Sequence, residues 1–382
     1  MAYIEEIKEF IVKLVKLEDV CYSGSSNISQ KDVMILDGSY PIYGASGFIK
    51  NINFYKSEKP YIAIVKDGSG VGRTMILPEK SSVIGTMQYI FPRDNIDIRY
   101  LYYAITSMDL SKYCTGIAIP HIYFKDYKKE KLNLPSISEQ VNIANKLDLM
   151  QKIIDLKQQQ IENLEELIKS QFVEMFGDPF DSSKWKLKKL GEVVESIYDG
   201  TNIPPKYYQT EGKVLFLRIQ NVWRNEFRLE DSVYVSEETN KRYIDTSLKK
   251  GDLLITKIGR YFTKESSLGR VAIYLGEDNK ANYSNNIMKI RVKDEINSEF
   301  LNILLNLDDY QKYIRRVSKG GTDKRALSKS VIEKFPIINP PIELQKQFIE
   351  IVRQINKQKV ILKKSLKEIK ELQESLMNRY FG

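Results

Sequence analysis

Histidine occurs once in the 382 residues, at His121, and cysteine twice, at Cys21 and Cys114. Two cysteines cannot build the disulfide framework of a small secreted protein. One histidine excludes His-rich metal sites, and no Gly-x-Ser-x-Gly elbow accompanies it to suggest a nucleophilic triad. No run approaches the roughly 20 apolar residues of a membrane span. A Gly-x-x-x-x-Gly-Lys-Ser/Thr phosphate loop is missing, and so is a nuclease-like Asp…Glu-x-Lys cluster. No catalytic constellation is found. Near the start, Glu5, Glu6 and Glu9 interrupt the apolar residues, which argues against a signal peptide. Ile4, Ile7, Ile11 and Leu14 have helical spacing there. The expectation is a cytoplasmic protein with no membrane partner.

What the chain does have is a pattern written twice. From Gly116 and Gly321 onward it recurs at a fixed offset of 205 residues. Pro135, Ile137 and Gln140 match Pro340, Ile342 and Gln345; Glu166, Leu167 and Ser170 match Glu371, Leu372 and Ser375. Phe176-Gly177 matches Phe381-Gly382. Upstream the offset drifts. Lys16-Leu-Glu-Asp-Val20 resembles Lys189-Leu-Gly-Glu-Val193 at an offset of 173, and Gly72-Arg73 resembles Gly269-Arg270. The unit is too long for a solenoid repeat. It reads as a domain followed by a helix, duplicated, with a front part free to change length.

The invariant back part is a long amphipathic helix. Over 138–176, Ile143, Leu147, Met150, Ile154, Ile161, Leu164 and Ile168 recur at 3-and-4 spacing, with Lys157 and Gln171 as polar exceptions. The second copy places Phe348, Val352, Ile355, Leu362, Leu366, Ile369 and Leu376 likewise, with Lys359 and Gln373 as exceptions. Both are heptad seams. Ser138–Gly177 carries seven acidic and four basic residues, Gln345–Gly382 four acidic and nine basic. That contrast favours pairing of the two helices with each other.

Before each helix the pattern is mixed. Pro60–Val65, Arg73–Leu77 and Val83–Phe91 are predicted strands and Ile98–Ile105 a helix. The second copy offers Asp252–Thr256, Arg270–Leu275 and Ile287–Val292 as strands and Ser298–Leu307 as a helix. The predicted fold class is α+β, with recognition-type domains over 1–134 and 178–338 and long helices over 135–177 and 339–382. The helices are expected to pair with each other as a coiled coil, independent packing of each on its own domain being the alternative.

Two motifs invite enzymatic readings and fail. Asp67-Gly-Ser-Gly-Val-Gly72 follows a strand, but a nucleotide loop should open a helix, and Arg73–Leu77 reads as a strand. A hairpin loop is the better reading. Asn339-Pro-Pro-Ile342 resembles the Asn-Pro-Pro-aromatic motif of amino-group DNA methyltransferases. Ile342 replaces the aromatic, and the first copy reads Leu134-Pro-Ser-Ile137. An extended lead into a helix explains both.

A net charge of +9 points to a polyanion partner. Three basic, glycine-bearing loops carry the candidate contacts. The first supplies Lys66, Ser69 and Arg73. Its counterpart supplies Lys257, Arg260, Tyr261, Lys264 and Arg270. The third supplies Lys319, Thr322, Lys324 and Arg325, aligned with Thr115 and His121 of the first copy. Arg and Lys can read guanine in the major groove, and hydroxyl side chains reach bases or phosphates.

With these motifs in order, nearly the whole chain resembles the specificity subunits of type I restriction–modification systems. The resemblance rests on the Lys-Leu openings at Lys16 and Lys189, Gly251-Asp-Leu-Leu-Ile-Thr256 and Gly269-Arg-Val-Ala-Ile273. It rests also on Ile119-Pro-His-Ile-Tyr-Phe-Lys-Asp126 and on Leu134-Pro-Ser-Ile-Ser-Glu-Gln140 leading into a heptad helix. One departure is Leu344 where the first copy has Glu139. The resemblance implies a subunit without activity of its own, reading a split double-stranded DNA site with one domain per half-site. It implies two target-recognition domains and long helices that pair as an antiparallel coiled coil, related by the pseudo-twofold of the repeat, and act as a ruler, with docking of two modification (methyltransferase) subunits and restriction subunits in the larger complex. No cofactor is expected on this chain, adenosylmethionine belonging to the methyltransferase. The recognition loops differ between copies, so the two half-sites should differ. A stand-alone DNA-binding regulator and a coiled-coil scaffold without a DNA role are the alternatives.

Overall fold

In a computed structural model of the chain, residues 13–116, 120–181 and 183–382 are described. The helical spacing expected around Ile4, Ile7 and Ile11 lies outside them. Leu14 is in a strand rather than a helix, and its side chain is exposed. The chain divides into two compact units, residues 1–160 with 362–382 and residues 161–361.

In the first unit, β1 (Lys13–Lys16) leads through a one-turn helix to β2 (Cys21–Ser25). The hairpin of β3 (Tyr40–Gly44) and β4 (Gly47–Ile52) follows. Then come β5 (Tyr61–Val65), β6 (Thr74–Leu77), β7 (Ser82–Val83) and β8 (Met87–Pro92). A helix over Ile98–Ser107 and β9 (Lys131–Leu134) precede the first long helix, Ile137–Phe176. The main sheet has the order β2-β8-β5-β6; a smaller one has the order β4-β3-β7, and β1 pairs with β9. The predicted strand over Val83–Phe91 is divided in two. Gly85 and Thr86 turn the chain, so that β7 joins the small sheet beside β3 and β8 joins the main sheet beside β5.

The second unit repeats this plan. It contains β10 (Leu187–Lys189), β11 (Val194–Asp199), β12 (Val214–Leu217), β13 (Val222–Trp223), β14 (Glu226–Phe227) and β15 (Val233–Val235). Then follow β16 (Leu253–Thr256), β17 (Ile258–Arg260), β18 (Val271–Ile273), β19 (Ala281–Tyr283) and β20 (Ile287–Val292). Helices Ser298–Asn306 and Asp308–Val317, β21 (Lys319–Gly320), β22 (Lys324–Ala326) and β23 (Pro336–Ile338) lead to the second long helix, Ile342–Phe381. Its main sheet, β11-β20-β16-β18, matches that of the first unit, as do β15-β12-β19 and the β10–β23 pair. Drift in the sequence offset therefore hides a common topology. The openings at Lys16 and Lys189 also fold alike: each backbone N–H donates to the carboxylate three residues on, Asp19 at 3.0 Å and Glu192 at 3.4 Å.

The recurrent glutamines explain why the start of each long helix is so rigidly repeated. Gln140 and Gln345 are both fully buried. The Asp97 N–H donates to Gln140 Oε1 at 2.8 Å, while Gln140 Nε2 donates to the Pro135 carbonyl at 2.9 Å. In the second unit the Asn297 N–H donates to Gln345 Oε1 at 2.8 Å, and Gln345 Nε2 to the Pro340 carbonyl at 2.8 Å. Asp97 and Asn297 are in turn the N-caps of the helices at Ile98 and Ser298. One buried amide thus ties a long helix to the capped helix of its own domain.

The last turns close on different partners. In the second unit Phe176, ending the first long helix, packs on Phe300 at 5.1 Å and Phe348 at 5.4 Å between ring centroids. In the first unit Phe381, ending the second long helix, packs on Tyr100 at 5.1 Å. Tyr100 and Phe300 are repeat-equivalent. Each capped helix therefore receives the first turn of one long helix and the last turn of the other. The seam between is buried or half-buried at every predicted position. Its polar exceptions find partners: Lys359 pairs with Glu165 at 2.8 Å and Gln373 Nε2 donates to Gln151 at 3.2 Å. Among the described residues no helix is long and apolar enough to cross a membrane.

Leucine at position 345 would keep most of the volume but leave the half-buried Asn297 N–H without an acceptor. Gln345→Leu is expected to lower unfolding free energy by roughly 1–3 kcal/mol. Gln347→Leu, on an exposed position of the same helix, should cost almost nothing. Denaturant titration of both variants separates the two.

Candidate nucleic-acid interface

The first basic loop is a hairpin turn, as its sequence suggested. β5 and β6 pair antiparallel on either side of it, and the Gly72 N–H returns to the Val65 carbonyl at 2.9 Å. Gly72 has φ +87°, a region costly for any side chain. The hairpin is stitched to the second candidate segment. The Gly68 N–H donates to the Pro120 carbonyl and the Ile122 N–H to the Lys66 carbonyl, both at 2.9 Å. Thr115 and His121 exchange two backbone bonds at 2.9 Å. Lys66, Ser69, Thr115 and His121 are therefore brought to one place. Arg73 is exposed but committed, its guanidinium donating to the Ala45 carbonyl at 3.0 Å.

The second unit builds the equivalent place as a three-stranded ribbon, with β22 between β17 and β21. Arg260 faces Lys324 and Gly259 faces Arg325 in its register. A Cβ on Gly259 would sit 2.3 Å from the Leu268 nitrogen, so only glycine lets the following loop fold back so closely. The Arg325 guanidinium stacks over Tyr261 at 4.1 Å. The Tyr261 N–H donates to the Asp323 carbonyl at 2.6 Å, and Arg260 lies 3.8 Å from the Asp323 carboxylate. Lys319, Thr322 and Lys324 are exposed on this ribbon. Lys257 is more enclosed and pairs with Asp199. A groove of about 430 Å³ runs past Ile219, Ile258, Arg260, Asp323 and Lys324.

Two of the expected residues lie apart from this ribbon. Arg270 is buried, its guanidinium spent on the Ser266 carbonyl at 2.9 Å, the Glu265 carbonyl at 2.5 Å and the face of Trp223 at 3.7 Å. Its role is to hold the loop, which removes it from the candidate set. The Lys264 backbone carbonyl accepts from Arg315 at 3.1 Å, and Lys264 lines a separate cleft. Charge and glycine content had pointed to both, but neither reports which way a side chain turns.

Sequence reasoning passed over two aromatics. Phe262 is 71% exposed beside Tyr261, and Tyr123 is 42% exposed beside His121. Exposed rings among cations suit stacking on bases. Their signal was available in principle, as aromatics adjoining the basic positions.

Taken together, the chain carries two copies of one α+β plan, each presenting a basic, hydroxyl-bearing edge. A family profile described as "Type I restriction modification DNA specificity domain" matches residues 12–166 and 182–371. The type I restriction enzyme MjaVIII specificity subunit of Methanocaldococcus jannaschii is 26% identical over 368 residues, 90% of this chain and 85% of that protein. The MjaIX specificity subunit of the same organism is 24% identical, over 75% of this chain and 69% of that protein. Among solved structures, the S subunit of a type I restriction–modification system from M. genitalium superposes with a TM-score of 0.62. It shares 16% identity, over 99% of this chain and 98% of that one. With a profile that matches both copies and curated relatives that span most of its length, the chain belongs to the family of type I restriction–modification specificity subunits.

Proposed function

We propose that this chain is the non-catalytic DNA-reading subunit of a type I restriction–modification complex, one unit reading each half of a bipartite, asymmetric double-stranded site. The observation that carries this reading is the duplicated edge: Lys66, Ser69, Thr115 and His121 in one unit, and Arg260, Tyr261, Lys319, Thr322, Lys324 and Arg325 in the other. Their topology is shared and their side chains differ, which suits two different half-sites. The long helices form an antiparallel coiled coil related by the pseudo-twofold of the repeat, and act as the ruler between half-sites. Each helix is one 40-residue run, about 60 Å at 1.5 Å per residue. Cofactor chemistry belongs to the partner, which supplies adenosylmethionine. Double-stranded DNA, two modification subunits and restriction subunits complete a cytoplasmic assembly.

Docking of two modification subunits has its own support. Leu156 and Ile361 are 50% and 68% exposed, and Leu167 and Leu372 are 42% and 54% exposed. Both pairs are repeat-equivalent, at the offset of 205. Leu156 and Leu372 fall in the first unit, Leu167 and Ile361 in the second. Apolar side chains left uncovered at matching places mark a surface used twice. Leu156→Asp with Leu372→Asp should reduce the complex from two modification subunits to one, read by native mass spectrometry. An unchanged two-to-one complex would remove this face from the docking surface.

DNA binding is tested on the ribbon. With the modification subunits present, and a duplex carrying the motif mapped by genomic methylation, Lys324→Gln with Arg325→Gln should weaken binding. Each lost phosphate contact should flatten the log–log salt slope by about 0.9. A lost base contact should instead relax one half-site at a cost of about 1–3 kcal/mol. Unchanged affinity, slope and motif would remove the ribbon from the interface.

A further inference from the structure

The second copy is longer than the first in several places, and three of them meet. The offset between equivalent residues is 173 at Lys16 and Lys189, 197 at Gly72 and Gly269, and 205 at Gly116 and Gly321. The first unit passes from β3 to β4 across Ala45 and Ser46, whereas the second inserts the β13–β14 hairpin between β12 and β15. The connection from β17 to β18 is extended around Lys264. A ten-residue helix, Asp308–Val317, stands where the first unit has the four-residue turn Leu110–Tyr113. Together they wall a cleft of about 740 Å³, a volume within the roughly 300–1,000 Å³ of small-ligand pockets. The hairpin contributes Trp223, Arg224 and Arg228, the connection Lys264 and Arg270, and the helix Arg315.

Positive charge is crowded here. The Trp223 indole lies between two guanidinium groups, Arg228 at 3.5 Å and Arg270 at 3.7 Å from its centroid. Burial lowers the pKa of Arg224 from its ordinary value; the Arg315 charge lowers it further, while Asp308 opposes both. Burial likewise lowers that of Arg270, with the charges of Arg228 and Arg224 adding to it and the Glu265 charge opposing them. Three of the four carboxylates at the cleft are claimed, and Glu265 has no ion pair among the described residues. Asp308 is shared between Lys169 at 2.8 Å and Arg224 at 3.2 Å, Glu226 is held by Arg228 at 3.0 Å, and Glu165 by Lys359 at 2.8 Å. Lys264 and Arg315 have no ion-pair partner among the described residues. Like charges gathered in a partly desolvated cleft raise its free energy until an anion enters.

We propose that this cleft is an anion site, built only in the second repeat, that takes a phosphoryl group: a DNA backbone phosphate or a free polyphosphate. Guanidinium forks match phosphoryl oxygens, and the Lys264 ammonium adds a mobile point charge. The DNA source rests on the function proposed above; the free-anion source does not.

Trp223 itself reports on the site, since the chain has one other tryptophan, Trp185. Trp185→Phe isolates its emission in the full-length chain, which is titrated with inorganic pyrophosphate. A saturable change in emission is expected. Binding should be weaker by about tenfold or more when Arg224→Gln and Arg315→Gln are added, and unaffected by Lys324→Gln with Arg325→Gln. Where removing Arg224 destabilises the fold, Lys264→Gln on its exposed loop serves instead, with a weakening of several-fold expected. No saturable change, or equal binding by the cleft variants, overturns the site. Its source follows from generic duplex DNA. Displacement of pyrophosphate by the duplex, with a salt slope flattened by about 0.9 in Arg315→Gln, supports the backbone phosphate. Pyrophosphate binding with an unaltered slope supports the free anion. Pyrophosphate binding in a chain and complex that bind no DNA upholds the site and overturns the proposed function.

Discussion

Everything in this chain hangs on how a long helix is gripped at its two ends. At its start, a fully buried glutamine accepts from the N-cap residue of a domain helix and donates to the carbonyl of the proline at the junction. At its finish, a phenylalanine packs against the capped helix of the unit in which it ends, Phe176 buried against Phe300 and Phe381 half-buried against Tyr100. A buried amide without partners would cost about 1–3 kcal/mol for each orphaned group, and loss of a buried phenylalanine about 3–5 kcal/mol. Neither end can slip without incurring such costs. The back part of each copy keeps its length, at a constant offset of 205 from Gly116 and Gly321 onward, while the front part drifts.

Legibility followed the same division. Heptad periodicity set the long helices to within three residues, because 3-and-4 spacing over 40 residues has no competing reading. The buried strands Tyr61–Val65, Leu253–Thr256 and Ile287–Val292 were equally visible as short apolar runs. The small sheets were not. Tyr40–Gly44 and Gly47–Ile52 alternate weakly, and a two-residue strand such as Ser82–Val83 gives no period at all. The helix Asp308–Val317 was missed as well, since its Asp, Lys and Arg residues hide Tyr310 and Ile314, the positions that reach the core. For the site, composition pointed to the loops, and the pairing of β17 with β22 brings two of them together. What composition could not give was direction: Arg260 is solvent-exposed, whereas Arg270, ten residues on, is turned inward under Trp223.

A duplicated plan with unequal copies has a functional logic. Identical units would read a symmetric site, as a homodimer does. Here the topology of the edges is kept while the first unit uses a short glycine turn and the second a braced ribbon with a stacked Arg325 and Tyr261. The second unit alone adds the arginine-rich cleft. Under the proposed function the scaffold would constrain position and the loops carry difference, so a change of loop sequence would alter what is read without altering where it is read.

The central claim is that the helix pair sets the distance between half-sites. It is tested most directly by inserting seven residues into each long helix at facing positions, which preserves the apolar seam and the grip at both ends. The added length is about 10 Å, close to three base pairs of duplex at 3.4 Å each. Sequencing the methylated genome of cells carrying the lengthened chain with its modification subunits should return both half-sites unchanged, with a gap longer by about three base pairs. Methylation at the original gap alone would contradict the account.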